Sequence, residues 1–276
     1  MRIVVTGGAG FIGSAVMELG RKRGHEMVSF DRSQGYDILG PLYPIEGDAV
    51  IHLAGVLGTA ELFDSPDEAI QVNIVGSHRV MQRCIEVGAQ YVGILMPDIF
   101  PSIYTATKIA TARLATALHY SRGLRVNHVR AYNAFGAGQK YGHGHPQKIV
   151  PTFAVHAWHR HPLPIWGDGL QGVDLIHTSD LARMLLDAAT LPGDDLIFDG
   201  GTGQELTVVQ VARMVAQAAG WDEPVFDHRP MRDGERPSYE IQAKGEGWDL
   251  LDWVPELRMS DLYEAVESYR GTPLED

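Results

Sequence analysis

Cysteine, long apolar runs and a signal pattern are all lacking or scarce in this sequence, and each scarcity removes a class of protein. The single thiol, Cys84, excludes a disulfide within the chain. No stretch approaches the roughly 18 apolar residues of a membrane-spanning helix, so we expect no span and no membrane partner. The N-terminus lacks a cleavable signal pattern, because its apolar run predicts a strand. These features favour a protein of the reducing cytoplasm.

Positive charge is also in short supply. Lysine and arginine number 23 against 35 aspartates and glutamates, a formal net charge of −12, and no basic cluster stands out. We therefore do not expect nucleic acid as a partner. The chain has 276 residues, 45% of them hydrophobic, which is enough for a large core and one or two domains.

The opening residues carry the most informative pattern, a strand that runs into spaced glycines. The apolar run Ile3–Val5 leads into Gly7, Gly10 and Gly13, and a helical pattern follows. Gly7 allows a tight turn, Gly10 lets backbone N–H groups approach a pyrophosphate, and Gly13 lets the helix pack closely on the strand. The helix dipole favours the same anion. A second predicted strand ends in Asp31, where a βαβ unit puts an acid for a ribose diol.

Strand and helix patterns alternate through the first half of the chain. Strands are predicted over residues 2–6, 26–31, 36–38, 48–54, 91–96 and 125–130, and helices over 12–23, 66–87 and 103–122. This alternation predicts an α/β fold with a Rossmann-type, doubly wound parallel sheet. Ligands of such a sheet bind beyond the C-terminal ends of its strands.

The rhythm changes after about residue 136, where a glycine-rich loop extends to residue 146. Later patterns predict a smaller C-terminal α/β substrate domain: helices over 151–160, 207–219 and 260–270, a strand–helix unit over 174–190 and a strand over 195–199. We therefore assign the NAD-binding domain to residues 1–136 plus roughly 174–190. The substrate-binding domain takes residues 137–173 plus roughly 191–276.

Tyr104 and Lys108 are the candidate catalytic pair. They lie four residues apart in a predicted helix, so the phenol and the ammonium group share one face. A nearby cation favours the phenolate and is expected to lower the tyrosine pKa towards neutrality. Such a tyrosine can exchange a proton with a sugar hydroxyl while a hydride moves to a nicotinamide.

Together these segments resemble the extended short-chain dehydrogenase/reductase family, and within it the NAD-dependent epimerase/dehydratase group. The resemblance covers nearly the whole chain. Besides the glycine turn, Asp31 and the Tyr104/Lys108 pair, it includes several later motifs: Asp48 with His52–Gly55, Asn73, Arg130–Gly136, Ile165–Gly169, Asp174–His177 and Arg232–Glu235.

The resemblance implies NAD as the cofactor and a nucleotide-sugar as the substrate. The implied cofactor contacts are Gly7, Gly10, Phe11, Ile12 and Gly13 at the pyrophosphate turn, Asp31 and Arg32 at the adenosine ribose, Asp37 and Ile38 at the adenine, Leu53, Ala54 and Gly55 along the middle, and Asn73 near the nicotinamide. Asn133 and Arg232 are implied to contact the substrate, with Arg232 as a charge partner of its diphosphate. Asp31 favours NAD over NADP, because a carboxylate repels a 2′-phosphate, whereas Arg32 works in the opposite direction.

The chain departs from the family pattern at three points. Leu95 and Met96 stand where the family carries a Ser or Thr, and the loop from there to Tyr104 is short; Ser102 or Thr105 is a candidate replacement. A dehydratase acid pair is reduced to Asp98, preceded by proline. Val173 replaces the arginine that often contacts the nucleotide.

We accordingly expect an NAD-dependent nucleotide-sugar 4-epimerase that oxidises C4 transiently, with Tyr104 as acid/base and Lys108 in support. The alternatives are a dehydratase or reductase of the same family, and a catalytically weakened protein that binds NAD and a nucleotide-sugar. The apolar residues of the two long helices serve either the core alone or, if a second apolar face remains, a homodimer of the kind that the resemblance implies. The histidines at 156, 159 and 161 have no carboxylate or cysteine at ligand spacing, so no metal site is expected.

Overall fold

A computed structural model describes residues 1–236 and 241–275 and has a six-stranded parallel sheet at its centre. The strands are β1 Arg2–Thr6, β2 Glu26–Phe30, β3 Ala49–His52, β4 Gln90–Leu95, β5 Val126–Ala131, β6 Asn133–Phe135, β7 Leu163–Trp166, β8 Gly172–Val173, β9 Leu175–His177, β10 Leu196–Gly200, β11 Leu206–Thr207 and β12 Phe226–Arg229. The helices are α1 Phe11–Lys22, α2 Pro66–Ala69, α3 Ser77–Val87, α4 Ile103–Arg122, α5 Ile149–Trp158, α6 Thr178–Thr190, α7 Val208–Ala218 and α8 Met259–Glu267.

The central sheet has the order β10-β5-β4-β3-β1-β2 and helices on both faces, which confirms the predicted Rossmann-type fold. Its inner strands are buried on both sides, so they read as continuous apolar runs. Helices α1 and α6 cover one face, and α3 and α4 cover the other. The order reverses between β1 and β3, and a crevice opens there at the C-terminal edge.

The predicted strand at residues 36–38 is wrong. These residues lie in turns after β2, where the Asp37 carboxylate accepts the Leu39 N–H and the Asp37 carbonyl accepts the Gly40 N–H. Ile38 is buried beside Gly76. Asp37 forms a local turn here instead of a strand, because its side chain accepts a backbone N–H group that would otherwise need a partner in a sheet.

The helix predicted over residues 66–87 forms, but it is interrupted by a π-helical segment over Ile70–Gly76 between α2 and α3. Such a segment places one extra residue in a turn and commonly marks a functional site. Asn73 lies at its centre and is fully buried.

A second cluster of elements packs beyond the C-terminal edge of the sheet. It consists of α5, α7 and α8 with the strand pairs β7–β12, β8–β11 and β6–β9 around an apolar core. Strand β10 hydrogen-bonds to β5 in the central sheet, although its sequence lies in the segment assigned to the substrate domain. The division into two domains stays a prediction.

In the part of the chain that the structure describes, no helix combines the length and the apolar character that crossing a membrane requires.

A chain of buried hydrogen bonds joins β1, β3 and the π-helical segment. The Ser77 hydroxyl donates to the Asn73 carbonyl (2.6 Å), so its oxygen accepts from His52 Nε2 (2.8 Å). His52 Nδ1 then accepts from the Thr6 hydroxyl (2.7 Å), and the Thr6 oxygen accepts the Ala54 N–H (3.2 Å). Burial, with a smaller contribution from the Lys108 cation, lowers the pKa of His52 to about 3.

Asp174 is a second buried anchor. Its fully buried carboxylate accepts the N–H groups of Thr202 (2.7 Å), Gly203 (2.9 Å) and Ala243 (2.8 Å), as well as the Thr202 hydroxyl (2.9 Å). These bonds fix the start of β9 to two later loops, so the motif residue has a structural part in this chain.

We predict that His52 stays neutral, with its proton on Nε2, from pH 8 down to pH 5. The folded-state pKa of about 3 lies below the ordinary value near 6.5. The associated stability is therefore present above about pH 6.5 and is lost as the pH falls, at up to about 1.4 kcal/mol per pH unit. Nitrogen-15 NMR checks this, with His52→Gln identifying the resonance. Titration of His52 within that range would contradict it.

We predict that Asp174→Ala lowers the free energy of unfolding by about 3 kcal/mol or more, because each buried donor left unpaired costs roughly 1–3 kcal/mol. Urea unfolding measures the loss. The matched control is Asp249→Ala, an exposed position where a change within about 0.5 kcal/mol is expected. Equal losses in the two variants would show that the Asp174 contacts do not anchor the fold.

Candidate active site

A cleft of about 1020 Å³ lies above the C-terminal edge of the central sheet. Residues that follow successive strands line it: Gly7 after β1, Asp31 after β2, Leu53 after β3, Met96 after β4 and Tyr132 after β5. Except for Asn73, every residue predicted to bind cofactor or substrate or to catalyse lines this cleft: Gly7, Gly10, Phe11, Ile12, Gly13, Asp31, Arg32, Asp37, Ile38, Leu53, Ala54, Gly55, Tyr104, Lys108, Asn133 and Arg232.

The glycine turn brings backbone N–H groups to one end of the cleft. Gly7 has a φ of +73°, and a Cβ there would lie 2.9 Å from the Ala54 nitrogen. A Cβ on Gly13 would lie 2.1 Å from the Gly7 carbonyl oxygen, so only glycine permits this packing. Gly10 caps α1 without a side-chain bond, which leaves first-turn N–H groups for an anion.

Asp31 is held as a carboxylate beside this turn. Its oxygens accept the Ser33 N–H (2.9 Å), the Ser33 hydroxyl (2.8 Å) and the Ala9 N–H (3.1 Å). Burial acts to raise the pKa of Asp31, but these hydrogen bonds outweigh it, so the pKa lies below its ordinary value. An ionised carboxylate at this point suits the hydroxyls of a ribose.

Arg32 and Asp37 form an exposed ion pair next to Asp31, with 3.6 Å between Arg32 Nε and Asp37 Oδ2. Arg32 is thereby drawn towards Asp37, although its side chain stays largely in solvent. The pair reduces the positive charge available beside Asp31 for a 2′-phosphate.

Asn73 does not line the cleft but hydrogen-bonds to residues that form its wall. Its amide oxygen accepts the Val56 N–H (2.9 Å), and its NH₂ group donates to the Val56 carbonyl and to the Thr107 hydroxyl (both 3.1 Å). A Cβ on Gly55 would lie 2.8 Å from the Asn73 amide oxygen. Asn73 therefore fixes the loop of residues 53–56, and its direct contact with a cofactor stays a prediction.

Tyr104 and Lys108 lie on one face of α4, whose bounds match the prediction. The Ser102 hydroxyl caps the helix by accepting the Thr105 N–H (3.1 Å). Lys108 Nζ is 5.9 Å from the centre of the Tyr104 ring. Among the described residues, no group hydrogen-bonds to the Tyr104 hydroxyl, so it is available to a ligand.

The structure does not lower the pKa of Tyr104, contrary to the sequence prediction. Burial raises the pKa of the phenol, and the same burial lowers the pKa of Lys108 to about 8. Desolvation disfavours the charged form of each group. At this separation the Lys108 ammonium does not offset the rise in the pKa of the phenol.

Thr105 is the one of the two candidate replacement hydroxyls that borders the cleft. Leu95 ends β4, and Met96 lines the cleft with an apolar side chain. Of the two candidate replacements, Ser102 is engaged as the helix cap, whereas Thr105 lines the cleft and accepts from Ser102 (3.1 Å). Asp98 is exposed in a turn and does not line the cleft.

Arg232 lines the cleft and brings positive charge to it. Its guanidinium donates to the Gln147 side chain (2.9 Å) and pairs with Glu235. It also stacks over the Trp166 ring, 4.6 Å from the ring centre. These contacts hold a planar cation at the cleft, a geometry that suits a diphosphate.

Lys148 is a cleft residue that sequence reasoning missed. It lies next to Gln147, and burial lowers its pKa against the opposing effect of Glu61, with a further lowering by Arg232. The only sequence signal was a lysine directly before a predicted helix, which many surface lysines share. Val173 is buried in the cleft lining and carries no charge, unlike the arginine that the family often has at this position. Lys148 and Arg232 are the residues that bring positive charge to this part of the lining.

Several known enzymes are similar to this chain in sequence and structure. The chain is 25% identical to dTDP-glucose 4,6-dehydratase of Streptomyces niveus, over 98% of this chain and 93% of that protein. It is 23% identical to UDP-glucuronic acid decarboxylase 1 of Arabidopsis thaliana, over 100% of this chain and 71% of that protein. The structure of UDP-glucose 4-epimerase from Thermotoga maritima with UDP-glucose has a TM-score of 0.85 at 25% identity, covering 99% of both chains.

A family model described as the NAD dependent epimerase/dehydratase family matches residues 3–94 and 101–196. These ranges include the glycine turn, the Tyr104/Lys108 pair and most of the cleft. The chain belongs to the NAD dependent epimerase/dehydratase family and is an enzyme of that NAD-dependent class.

Proposed function

We propose that this protein is a nucleotide-sugar 4-epimerase that oxidises its substrate transiently at C4. The observation that carries the proposal is that Tyr104 and Lys108 line the same cleft as the glycine turn. A phenol beside a site for the nicotinamide suits an alcohol that loses a proton and a hydride from one carbon.

Epimerisation needs proton transfer at one hydroxyl, and Tyr104 is the group for it. When bound, the cofactor supplies a reversible hydride acceptor. Tyr104 takes the C4 hydroxyl proton as the sugar is oxidised, and returns it when the 4-keto sugar is reduced on its other face. Lys108 stabilises the phenolate that is present before the proton is taken and again after it is returned, since it is a cation on the same helix face.

The reduction of the family's acid pair to Asp98 favours epimerisation over dehydration. Elimination of water needs further acid and base groups beyond the one that serves C4 oxidation. Asp98 is exposed outside the cleft, and its neighbour is proline. Dehydratase, decarboxylase and reductase reactions begin or end with the same C4 chemistry and are outcomes that the assay below distinguishes.

The substrate's diphosphate would bind between Arg232 and Lys148, with Asn133 beside the sugar. Arg232 is held by packing and hydrogen bonds, so it loses little freedom on binding an anion. For the cofactor, the ionised Asp31 and the Arg32–Asp37 pair support NAD over NADP. A homodimer through the long helices and a cytoplasmic location remain predictions.

We predict that the protein with NAD converts one of a panel of UDP-, GDP- and dTDP-sugars into an isomer of unchanged mass, inverted at C4. Tyr104→Phe should reduce the rate by at least about 100-fold, because it removes the proton-transfer group. Mass spectrometry and NMR read the product. Tyr120→Phe, in the same helix and 80% exposed, is the control and should retain the wild-type rate.

A product lighter by one water would instead make the protein a dehydratase, and loss of carbon dioxide from a uronic acid would make it a decarboxylase. Full activity of Tyr104→Phe would contradict the assignment of Tyr104. Binding of a nucleotide-sugar without turnover would favour the weakened binding protein.

A further inference from the structure

The loop of residues 137–148, here named the cover loop, forms one wall of the cleft. It connects β6 to α5 and contains only turns and bends, so its shape depends on contacts with other segments. Its cleft-lining members are Ala137, Gly138, Gln139, Lys140, His145, Pro146, Gln147 and Lys148.

One end of the cover loop is fixed by contacts of Gln147 with Glu61 and Arg232. The Gln147 N–H donates to the Glu61 carboxylate (3.3 Å), and the Gln147 side chain accepts from Arg232 (2.9 Å). Gln147 therefore ties Lys148 and Arg232 together. Lys148 is the next residue in the chain, so the position of Gln147 bears on both cations.

The middle of the cover loop is held by the C-terminal segment that follows α8. The Glu275 carboxylate accepts the His143 N–H (2.5 Å). The Tyr141 hydroxyl donates to the Glu275 carbonyl (3.2 Å) and accepts the Glu275 N–H (3.3 Å). Further back, the buried Tyr269 hydroxyl donates to the Gln139 carbonyl (2.5 Å). Each contact is made to cover-loop backbone or to Tyr141.

Apolar packing fixes the same segment. Leu274 and Tyr141 both pack against the apolar core formed by α5, α7 and α8. Exposed hydrogen bonds alone are worth little, but here they join two segments that a shared core already brings together. Burial of apolar surface therefore offsets part of the conformational entropy that is lost when the C-terminal segment is ordered.

We propose that the C-terminal segment, through Glu275, is a positioning element that holds the cover loop in its substrate-binding shape. Glu275 touches neither the reacting atoms nor the cleft, and acts through the cover loop on Lys148 and Arg232. This inference rests on the proposed function for the identity of the ligand, a nucleoside diphosphate-sugar. The contacts themselves are independent of it.

The test compares the full chain with Glu275→Ala, which removes the carboxylate that accepts the His143 N–H, and with Tyr141→Phe, which removes the hydroxyl bonds to the Glu275 backbone. We expect trypsin to cut the bond after the exposed Lys140 on the order of three- to tenfold faster in both variants, because the lost hydrogen bonds free the loop. KM for the sugar nucleotide should rise by a similar factor, with kcat changed less than about twofold. The affinity for NAD should be unchanged.

Glu267→Ala is the matched control, since Glu267 is an exposed carboxylate of α8 that pairs with Arg270. It should leave cleavage after Lys140 and KM at wild-type values. Unchanged cleavage and KM in both test variants would overturn the proposal. So would cleavage that rises equally throughout the chain, since that reports general loosening. If no sugar nucleotide is turned over, the proposed function fails, and the cleavage rates still decide the positioning role.

Discussion

The site depends on the buried hydrogen-bond chain that runs from Thr6 through His52 and Ser77 to Asn73. These polar groups are removed from water, so each bond must be made or its desolvation is uncompensated. The chain joins the ends of β1 and β3 to the π-helical segment, and Asn73 continues it to Val56 and to Thr107 of α4. The end of β1, the cleft-lining loop of residues 53–56 and helix α4 are thereby fixed relative to one another.

Burial also shifts the pKa values of ionisable groups in this network and at the cleft. Lys108 lies in α4 on the side of this buried network, and its proximity adds to the low pKa of His52. Burial disfavours both the phenolate of Tyr104 and the ammonium of Lys108. The charged forms on which the proposed proton transfer depends therefore carry a desolvation cost.

Features of the fold and of the cleft could be predicted from the sequence where the contacts that determine them are local. The bounds of α4 follow from its own residues, with Ser102 as cap and Gly123 as stop, and the prediction of residues 103–122 is confirmed. The glycine turn is similarly local. The strand predicted at residues 36–38 is wrong because an aspartate turn competes with the sheet.

Non-local contacts account for the rest. The sequence of β10 contains no sign that it pairs with β5, because the strands are separated by the whole of the segment that holds α5 and α6. Desolvation of Tyr104 depends on the complete cleft, so the spacing of Tyr104 and Lys108 predicted their shared face but not the direction of the pKa change. Lys148 and Glu275 are unremarkable in the sequence and gain their contacts only from the folded cover loop.

The central claim is that hydride leaves and returns to the same carbon. The most direct measurement is the fate of deuterium placed at C4 of the sugar nucleotide that the enzyme accepts, followed by NMR during turnover in ordinary water. The account predicts that the deuterium is retained at C4 of the inverted product, because the hydride stays bound between the two half-reactions. Deuterium that is lost to solvent, or that is found at another carbon, would contradict it.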